Sequence, residues 1–385
     1  MGNYECDFRS DGHTGTADNL IRHLLNNCKF FIDSRRMKKI VFFPKYSSMG
    51  ASSRYRIYEY LKYYSEAGVN FSVFPLFGDW YIKNLLNHKS KLHILPKIFC
   101  GYLKRIWQIL RMDKNSVAYI GAELFPYLPY GFEKLFKLKG IPYIIEFDDA
   151  IFHNYDRSRY LKNKTSKVIA NAAHIITGSK YLTDYARQFN QNVTQIPTCI
   201  DAVKYKDSNP KDTDKFIIGW IGSHASSKAV LSITGALKTL SSKIDFEIQL
   251  IGFDPLLEPY LQGIPYKIIK WSKETEVENM QKFSVGIMPL RDTPFSRGKC
   301  AFKLVQYMSV GIPTLSSPLQ SNLDIDNGIG NLFAATEQEW VDALLKIAKN
   351  REEYKEIGKR NKEYAMSNYT FQSNYKRYIE IMSTL

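Results

Sequence analysis

The sequence has no apolar run approaching the roughly 18–20 residues needed to span a bilayer. Its beginning lacks the succession of basic start, apolar stretch and small-residue cleavage site that directs secretion. A cytoplasmic protein is therefore expected. Cysteine is scarce: Cys6, Cys28, Cys100, Cys199 and Cys300 are scattered, odd in number and never form CxxC, which argues against a disulfide framework or a structural zinc site. No GxGxxG follows the first expected strand, no P-loop is present, and the histidines lack metal-ligand spacing. Hydride transfer, ATP hydrolysis and zinc chemistry are poorly supported, and neither cofactor nor metal is expected. Acidic residues are sparse in one stretch. From Met37 to Lys114 only Glu59, Glu66, Asp79 and Asp113 stand against fourteen lysines and arginines. Such a patch attracts anions, whether nucleic acid, acidic lipid headgroups or phosphate-bearing substrates.

What is present describes a folded chain. Of its 385 residues 44% are apolar and 24% charged, and that length exceeds one usual hydrophobic core. The segment 1–36 is polar and reads as an appendage; a small docked helix at Asp18–Asn27 is the alternative. From Lys39 onward short apolar strands alternate with helical patterns, which indicates parallel βαβ units. Strands are expected at Lys39–Pro44, Asn70–Pro75, Ser116–Ile120, Pro142–Phe147, His174–Thr177 and Asn192–Pro197. Helices are expected at Ser53–Ala67 and Pro96–Arg111. The polar, proline-containing stretch Asp201–Asp214 reads as a linker. Alternation then resumes, with strands at Phe216–Ile221, Phe246–Ile251, Lys267–Lys270, Val285–Pro289 and Thr314–Ser316. The end, Glu337–Met382, is helical with breaks near Asn350 and Asn368. This divides the chain into 37–205, 206–365 and a terminal helix at 366–385 that returns toward the first domain. Two doubly wound α/β halves make a cleft, and open sheets bind ligands beyond the carboxyl ends of their strands.

Several clusters in this frame can carry chemistry. After the strand ending at Pro289-Leu290, a loop with Arg291, Arg297, Gly298 and Lys299 enters a helix that ends at Gly311, with Pro313 beyond. Cations and free backbone N–H groups at a helix start suit a diphosphate; Lys303 and Gln306 would reach the phosphates and a ribose hydroxyl. The strand Ile218–Ile221 runs into Gly222-Ser223 and then Lys228, a second phosphate-cradling arrangement. In the first half, Gly50 would let backbone approach a ligand, Ser52 or Ser53 would cap the helix, and Arg54 follows. Glu146, Asp148 and Asp149 end an apolar strand facing the expected cleft, where carboxylates can orient an acceptor hydroxyl or support developing positive charge.

The segment Val305–Leu315 resembles the C-terminal fingerprint EAMAxGxPVV of retaining GT-B glycosyltransferases of family 4. Met308, Gly311 and Pro313 fall where the pattern puts them. The resemblance covers Met37–Leu385 weakly and about 286–318 strongly. It implies a GT-B fold of two Rossmann-like domains facing a cleft, and sugar transfer from a nucleotide-sugar donor with retained configuration and no metal. The acceptor would be a glycan or lipid-linked molecule, in cell-surface polysaccharide synthesis. The donor base would lie near Trp271 and its ribose near Gln306, with Lys228, Lys299 and Lys303 stabilising the leaving diphosphate. GxxSRxR at Gly50–Arg56 is similar to a donor-facing loop in that family. Two departures stand out: Gly298 and Gln306 occupy the places of two family glutamates, and Ser223 that of an arginine.

Three rivals accompany this reading. One is a catalytically silent GT-B-like binding module. A second is a metal-dependent GT-A enzyme holding its cation with Glu146 and Asp148. Nucleic-acid binding, the third, lacks a recognisable motif and is not expected. The helix Pro96–Arg111 carries apolar residues at 98, 99, 102, 103, 106, 107 and 110, and cations at Lys97, Lys104, Arg105 and Arg111. The stripe suits a helix packed inward on the sheet; the cations would then face an anionic membrane surface in a salt-sensitive association.

Overall fold

The structure, a computed structural model, describes residues 37–86 and 92–385. The appendage 1–36 and the alternative helix at Asp18–Asn27 lie outside the described residues. The first half holds six strands: β1 (Lys39–Pro44), β2 (Phe71–Val73), β3 (Ser116–Gly121), β4 (Tyr143–Phe147), β5 (His174–Thr177) and β6 (Val193–Gln195). They form one parallel sheet in the order β2-β1-β3-β4-β5-β6. The second half holds β7 (Phe216–Ile221), β8 (Phe246–Ile251), β9 (Tyr266–Ile269), β10 (Val285–Met288), β11 (Thr314–Ser316) and β12 (Leu332–Phe333). Its parallel sheet runs β12-β11-β10-β7-β8-β9. Near-continuous apolar runs such as Ile40-Val41-Phe42-Phe43 are buried, as strands covered on both faces require.

Strand order reverses between β1 and β3 in the first sheet and between β7 and β10 in the second. These switch points open a crevice beyond the strand ends, the place where α/β sheets take ligands. Tyr307 secures the second one: its hydroxyl accepts from Ile221 N at 2.9 Å and donates to Ile287 O at 3.1 Å.

Two local expectations need correction. The helix expected over Ser53–Ala67 is interrupted: Ala51–Arg56 ends at Ile57 (φ −128°), and an α-helix resumes only at Leu61–Glu66. Leu332–Phe333, a further strand, was not foreseen, because two residues carry no period to read. The carboxyl-terminal helices Glu337–Lys349, Arg351–Asn368 and Phe371–Ser383 break at Asn350 and Tyr369.

The last helix lies against the first half. Ile200 N donates to Tyr369 O (2.8 Å) and Phe371 N to Ile200 O (2.9 Å). Tyr60 packs on Phe371 and Tyr378 with ring centroids 4.8 and 4.6 Å apart. Aromatic pairs of this kind contribute about 0.5–1.5 kcal/mol each beyond their buried area. No helix among the described residues is long and apolar enough to cross a membrane.

Candidate active site

At the end of β4 the chain delivers three carboxylates in four residues, and the structure gives them different tasks. Glu146 does not face the cleft. It is wholly buried; Oε1 accepts from Arg56 Nε and Tyr378 OH, both at 2.7 Å, and Oε2 from Tyr119 OH at 2.7 Å. Arg56 also donates to Ile196 O at 2.9 Å. Burial pushes the Glu146 carboxyl up, and Arg56 and the two tyrosines oppose that shift. With both oxygens engaged by protein donors, Glu146 is a structural anchor between β4, the first helix and the last helix. The metal-binding role weighed for Glu146 and Asp148 fails there.

Asp148 and Asp149 do reach the cleft. Asp148 Oδ1 accepts from Ser52 Oγ at 2.6 Å, joining the loops after β1 and β4. Asp149 Oδ1 accepts from Lys299 Nζ at 2.8 Å, an ion pair between the halves whose side chains are each about a third exposed. The protein atoms around Asp149 push its carboxyl up, and Lys299 opposes this. One turn further, Lys303 has no carboxylate of its own among the described residues. Burial, and then repulsion from Lys299, pull its pKa down to about 8, and Asp149 only partly offsets them. Its ammonium lies 5.7 Å from the centre of the Trp220 ring. Lys303 is thus a desolvated cation set beside an ion pair, an arrangement that an entering anion would relieve.

The loop carrying Lys299 is clamped to the first half. Cys300 Sγ donates to Asp148 O at 2.9 Å. A Cβ on Gly298 would stand 2.6 Å from Ala150 Cβ and 3.0 Å from Ala150 N. A glutamate therefore has no room here; the close approach of Ala150 demands glycine. Ala301, which starts the helix Phe302–Val310, is left-handed at φ +49°, a costly geometry for a residue with a side chain. Gly311 ends that helix at φ +90°, as a left-handed C-terminal cap should.

The other candidates are distributed as follows. Gly50 is the helix N-cap, and neither Ser52 nor Ser53 caps it; Ser53 Oγ accepts from Tyr46 N at 3.1 Å. The close approach that Gly50 permits is to Tyr46, whose Cβ would lie 2.6 Å from a Cβ there. Arg54 crosses the cleft, its guanidinium 4.9 Å from the Trp271 ring centre. Trp271 Nε1 donates to Glu276 Oε2 at 2.6 Å, and Lys204 pairs with Glu276 Oε1 at 2.6 Å. Tyr55 and Phe302 add a ring contact between the halves at 4.4 Å. Gly222 and Ser223 lead from β7 into a 3-10 segment, His224–Ile233, with Ser223 N donating to Ser226 Oγ at 3.1 Å. Lys228 is exposed on that segment, and among the described residues no ion pair joins it to the charged cluster. Gln306 is buried, its amide 3.5 Å from Tyr205 OH, so a ribose would reach it only if Tyr205 moved.

Sequence reasoning missed two features. Arg56 stands in the same GxxSRxR run as Arg54, but two residues along a helix point to different faces, and nothing in the spacing says which arginine turns inward. Glu123, just past β3, is a buried hub for Lys45 (3.0 Å), Lys164 (3.2 Å) and Tyr155 (2.6 Å). Burial alone would raise its carboxyl; Lys45 and Lys164 hold it below the ordinary value. A cavity of about 400 Å³ lined by Gln195, Tyr364, Tyr369 and Arg377 lies by the last helix, away from this chemistry. Beside Ser52, Glu146 and Asp148 the enclosed space is only about 10 Å³.

The architecture has solved counterparts. HepE of Anabaena, in complex with UDP-glucose, is 12% identical over 90% of this chain and 100% of its own, with a TM-score of 0.66. Sucrose-phosphate synthase of Thermosynechococcus elongatus is 11% identical over 90% and 98%, with a TM-score of 0.68. The chain has the GT-B fold. TarM of S. aureus, in complex with Fondaparinux, alpha-GlcNAc-glycerol and UDP, is 14% identical over 73% of this chain, with a TM-score of 0.56. This chain spans 59% of the TarM chain. No protein-family model and no curated protein matches the sequence. In a GT-B molecule the cleft between the two sheets is where Asp148, Asp149, Lys299 and Lys303 meet, and the GT-A alternative is set aside on fold as well as on Glu146.

Proposed function

We propose that this chain is a glycosyltransferase that moves a sugar from a nucleotide-sugar donor to a glycan or lipid-linked acceptor. One observation carries the reading: Lys299 and the only partly compensated Lys303 stand opposite Asp148 and Asp149 across the cleft of a GT-B fold. The solved counterparts in complex with UDP and UDP-glucose support a uridine nucleotide as the first donor to try.

In this mechanism the diphosphate enters beside Lys299 and Lys303, and Lys228 swings in from the loop after β7. As the bond from the anomeric carbon to the phosphate oxygen breaks, the acceptor oxygen bonds to that carbon and its proton passes to the leaving diphosphate, on which negative charge has grown. Fixed ammonium groups in a partly desolvated cleft stabilise that charge without reorganising. Asp149 holds Lys299 in place. Asp148, oriented by Ser52, accepts a hydrogen bond from the acceptor hydroxyl or faces the developing positive charge on the sugar. Trp271 and Arg54 form the wall for the base, and Gln306 serves the ribose once Tyr205 yields. Retention of configuration, independence of metal and a role in cell-surface polysaccharide assembly belong to the same proposal.

The test is release of nucleoside diphosphate from UDP-, GDP- and ADP-sugars, with and without glycan acceptors, in buffer containing EDTA. Release that requires acceptor and persists in EDTA supports the reading. Donor binding with no release under any condition would favour the silent binding module suggested by Gly298 and Ser223. Activity that disappears in EDTA and returns with magnesium or manganese would overturn its metal-free part.

A further inference from the structure

The helix Leu95–Leu110 is apolar on two faces: Ile98, Tyr102, Ile106 and Ile109 pack inward, and a second set of apolar side chains does not. Five large apolar side chains of that second set point outward: Leu95 is 50% exposed, Phe99 64%, Leu103 51%, Trp107 52% and Leu110 55%, with Leu92 at 75% just before them. Arg105, a cation, points inward and is 1% exposed. At 3.6 residues per turn the five helical side chains fall within an arc of about 120°. The exposed cations Lys97, Lys104 and Arg111 fall together along one border of that arc, and the helix contains no acidic residue. The inward-packed stripe expected from the sequence is thus split: Ile98, Tyr102 and Ile106 pack on the core, whereas Phe99, Leu103, Trp107 and Leu110 are exposed, and Arg105 leaves the set of outward cations.

Turning Arg105 inward has a cost. Burial depresses its pKa, and among the described residues no carboxylate pairs with it. Backbone carbonyls take its donors instead: Phe74 O at 2.8 Å, Pro44 O at 3.3 Å and Leu124 O at 3.5 Å. Pro44 ends β1, while Phe74 and Leu124 follow β2 and β3. The helix is therefore pinned to the strand-end edge of the first sheet, the edge that opens on the cleft.

We infer that this helix seats the protein on an anionic lipid surface by inserting Phe99, Leu103, Trp107 and Leu110 among the acyl chains, while Lys97, Lys104 and Arg111 meet lipid phosphates. Contiguous exposed apolar area of this kind marks an interaction surface. The row of cations beside it selects a negatively charged bilayer over an uncharged partner. Arg111 lies 4.4 Å from the centre of the Trp107 ring, and a tryptophan with a cation beside it suits the boundary between headgroup and hydrocarbon. Insertion differs from a purely electrostatic hold in its response to salt. Screening weakens the lysine and arginine contacts but leaves apolar burial intact. The inference rests on the proposed lipid-linked acceptor only for its biological setting, because docking is measured without donor or acceptor.

Sedimentation with vesicles of neutral phosphatidylcholine, alone or mixed with anionic phosphatidylglycerol, tests it. The full chain is expected to bind the anionic vesicles at least tenfold more tightly, and to keep a measurable bound fraction in 1 M salt. Trp107 emission should shift to the blue and be quenched by brominated acyl chains, a signal absent from Trp107→Phe. Phe99→Ser with Leu103→Ser should weaken binding more than tenfold while the protein keeps a cooperative thermal transition, since both side chains are more than half exposed. Binding abolished by salt and untouched by that double substitution would overturn insertion. Binding to neither vesicle would overturn the surface altogether. A concentration-dependent dimer dispersed by the same substitution would assign the face to a second copy of the chain instead.

Discussion

Lys303 offers the sharpest quantitative test, because its pKa of about 8 falls within an accessible range. The ordinary lysine value is 10.5. Between these two values the unfolded chain holds a proton that the folded chain has released, so Lys303 makes stability rise with pH across that window. Below pH 8 the ammonium is charged in both states, and the folded protein bears the full cost of about 3 kcal/mol. A donor diphosphate beside Nζ would offset that cost, so donor binding should favour the protonated form. From pH 7 to pH 9 the charged fraction falls from about nine-tenths to about one-tenth, which predicts roughly tenfold weaker binding. The diphosphate diester of UDP-glucose keeps its charge across this range, so the slope would belong to the protein. Lys303→Arg, charged throughout, should remove the slope. Lys303→Met should remove it too and weaken binding at pH 7 by about 10- to 100-fold, the worth of a hydrogen bond to a charged group. Calorimetric titration from pH 7 to pH 9 measures all three proteins. An unchanged affinity for the wild type, or the same slope in Lys303→Arg, would refute the placement of Lys303 beside the diphosphate.

Other expectations follow from the same geometry. Gly298→Glu, which restores the family residue, should destabilise by about 1–3 kcal/mol through overpacking against Ala150, seen as a lower denaturant midpoint with no gain in turnover. Arg56→Met should cost about 3–5 kcal/mol by stranding the buried Glu146 carboxylate, again read by denaturant unfolding; a loss under 1 kcal/mol would contradict its anchoring role. Lys228→Ala, at an exposed side chain, should leave the thermal midpoint unchanged yet lower turnover, and wild-type turnover would remove Lys228 from the site.

Much of the architecture was legible because central parallel strands covered on both faces are apolar runs, and eleven of the twelve observed strands overlap an expected one, half-buried edge strands such as Val193–Gln195 included. β12 escaped because Leu332–Phe333 is too short to show a period. Side-chain direction was far less legible. A strand buried on both faces offers no polar alternation, so nothing in Ile144–Asp149 marks Glu146 as turning to the interior while Asp148 and Asp149 reach the cleft. Periodicity likewise found the apolar stripe of Leu95–Leu110 but could not say which medium it meets, since the same spacing serves a protein core and a lipid surface. Gly298 looked like a lost carboxylate; the approach of Ala150, distant in sequence, supplies its reason. The fingerprint around Gly311 and Pro313 was readable because a left-handed cap followed by proline is a local demand of the chain.

The central claim, that the cleft takes a nucleotide-sugar through its diphosphate, is tested most directly by titrating UDP, GDP and ADP into the wild type and into Lys299→Ala with Lys303→Ala. The account predicts saturable binding of at least one nucleoside diphosphate by the wild type, and a loss of at least tenfold in the doubly substituted protein, shown to be folded by a cooperative thermal transition. Equal affinity in both proteins, or no binding of any of the three by the folded wild type, would contradict it.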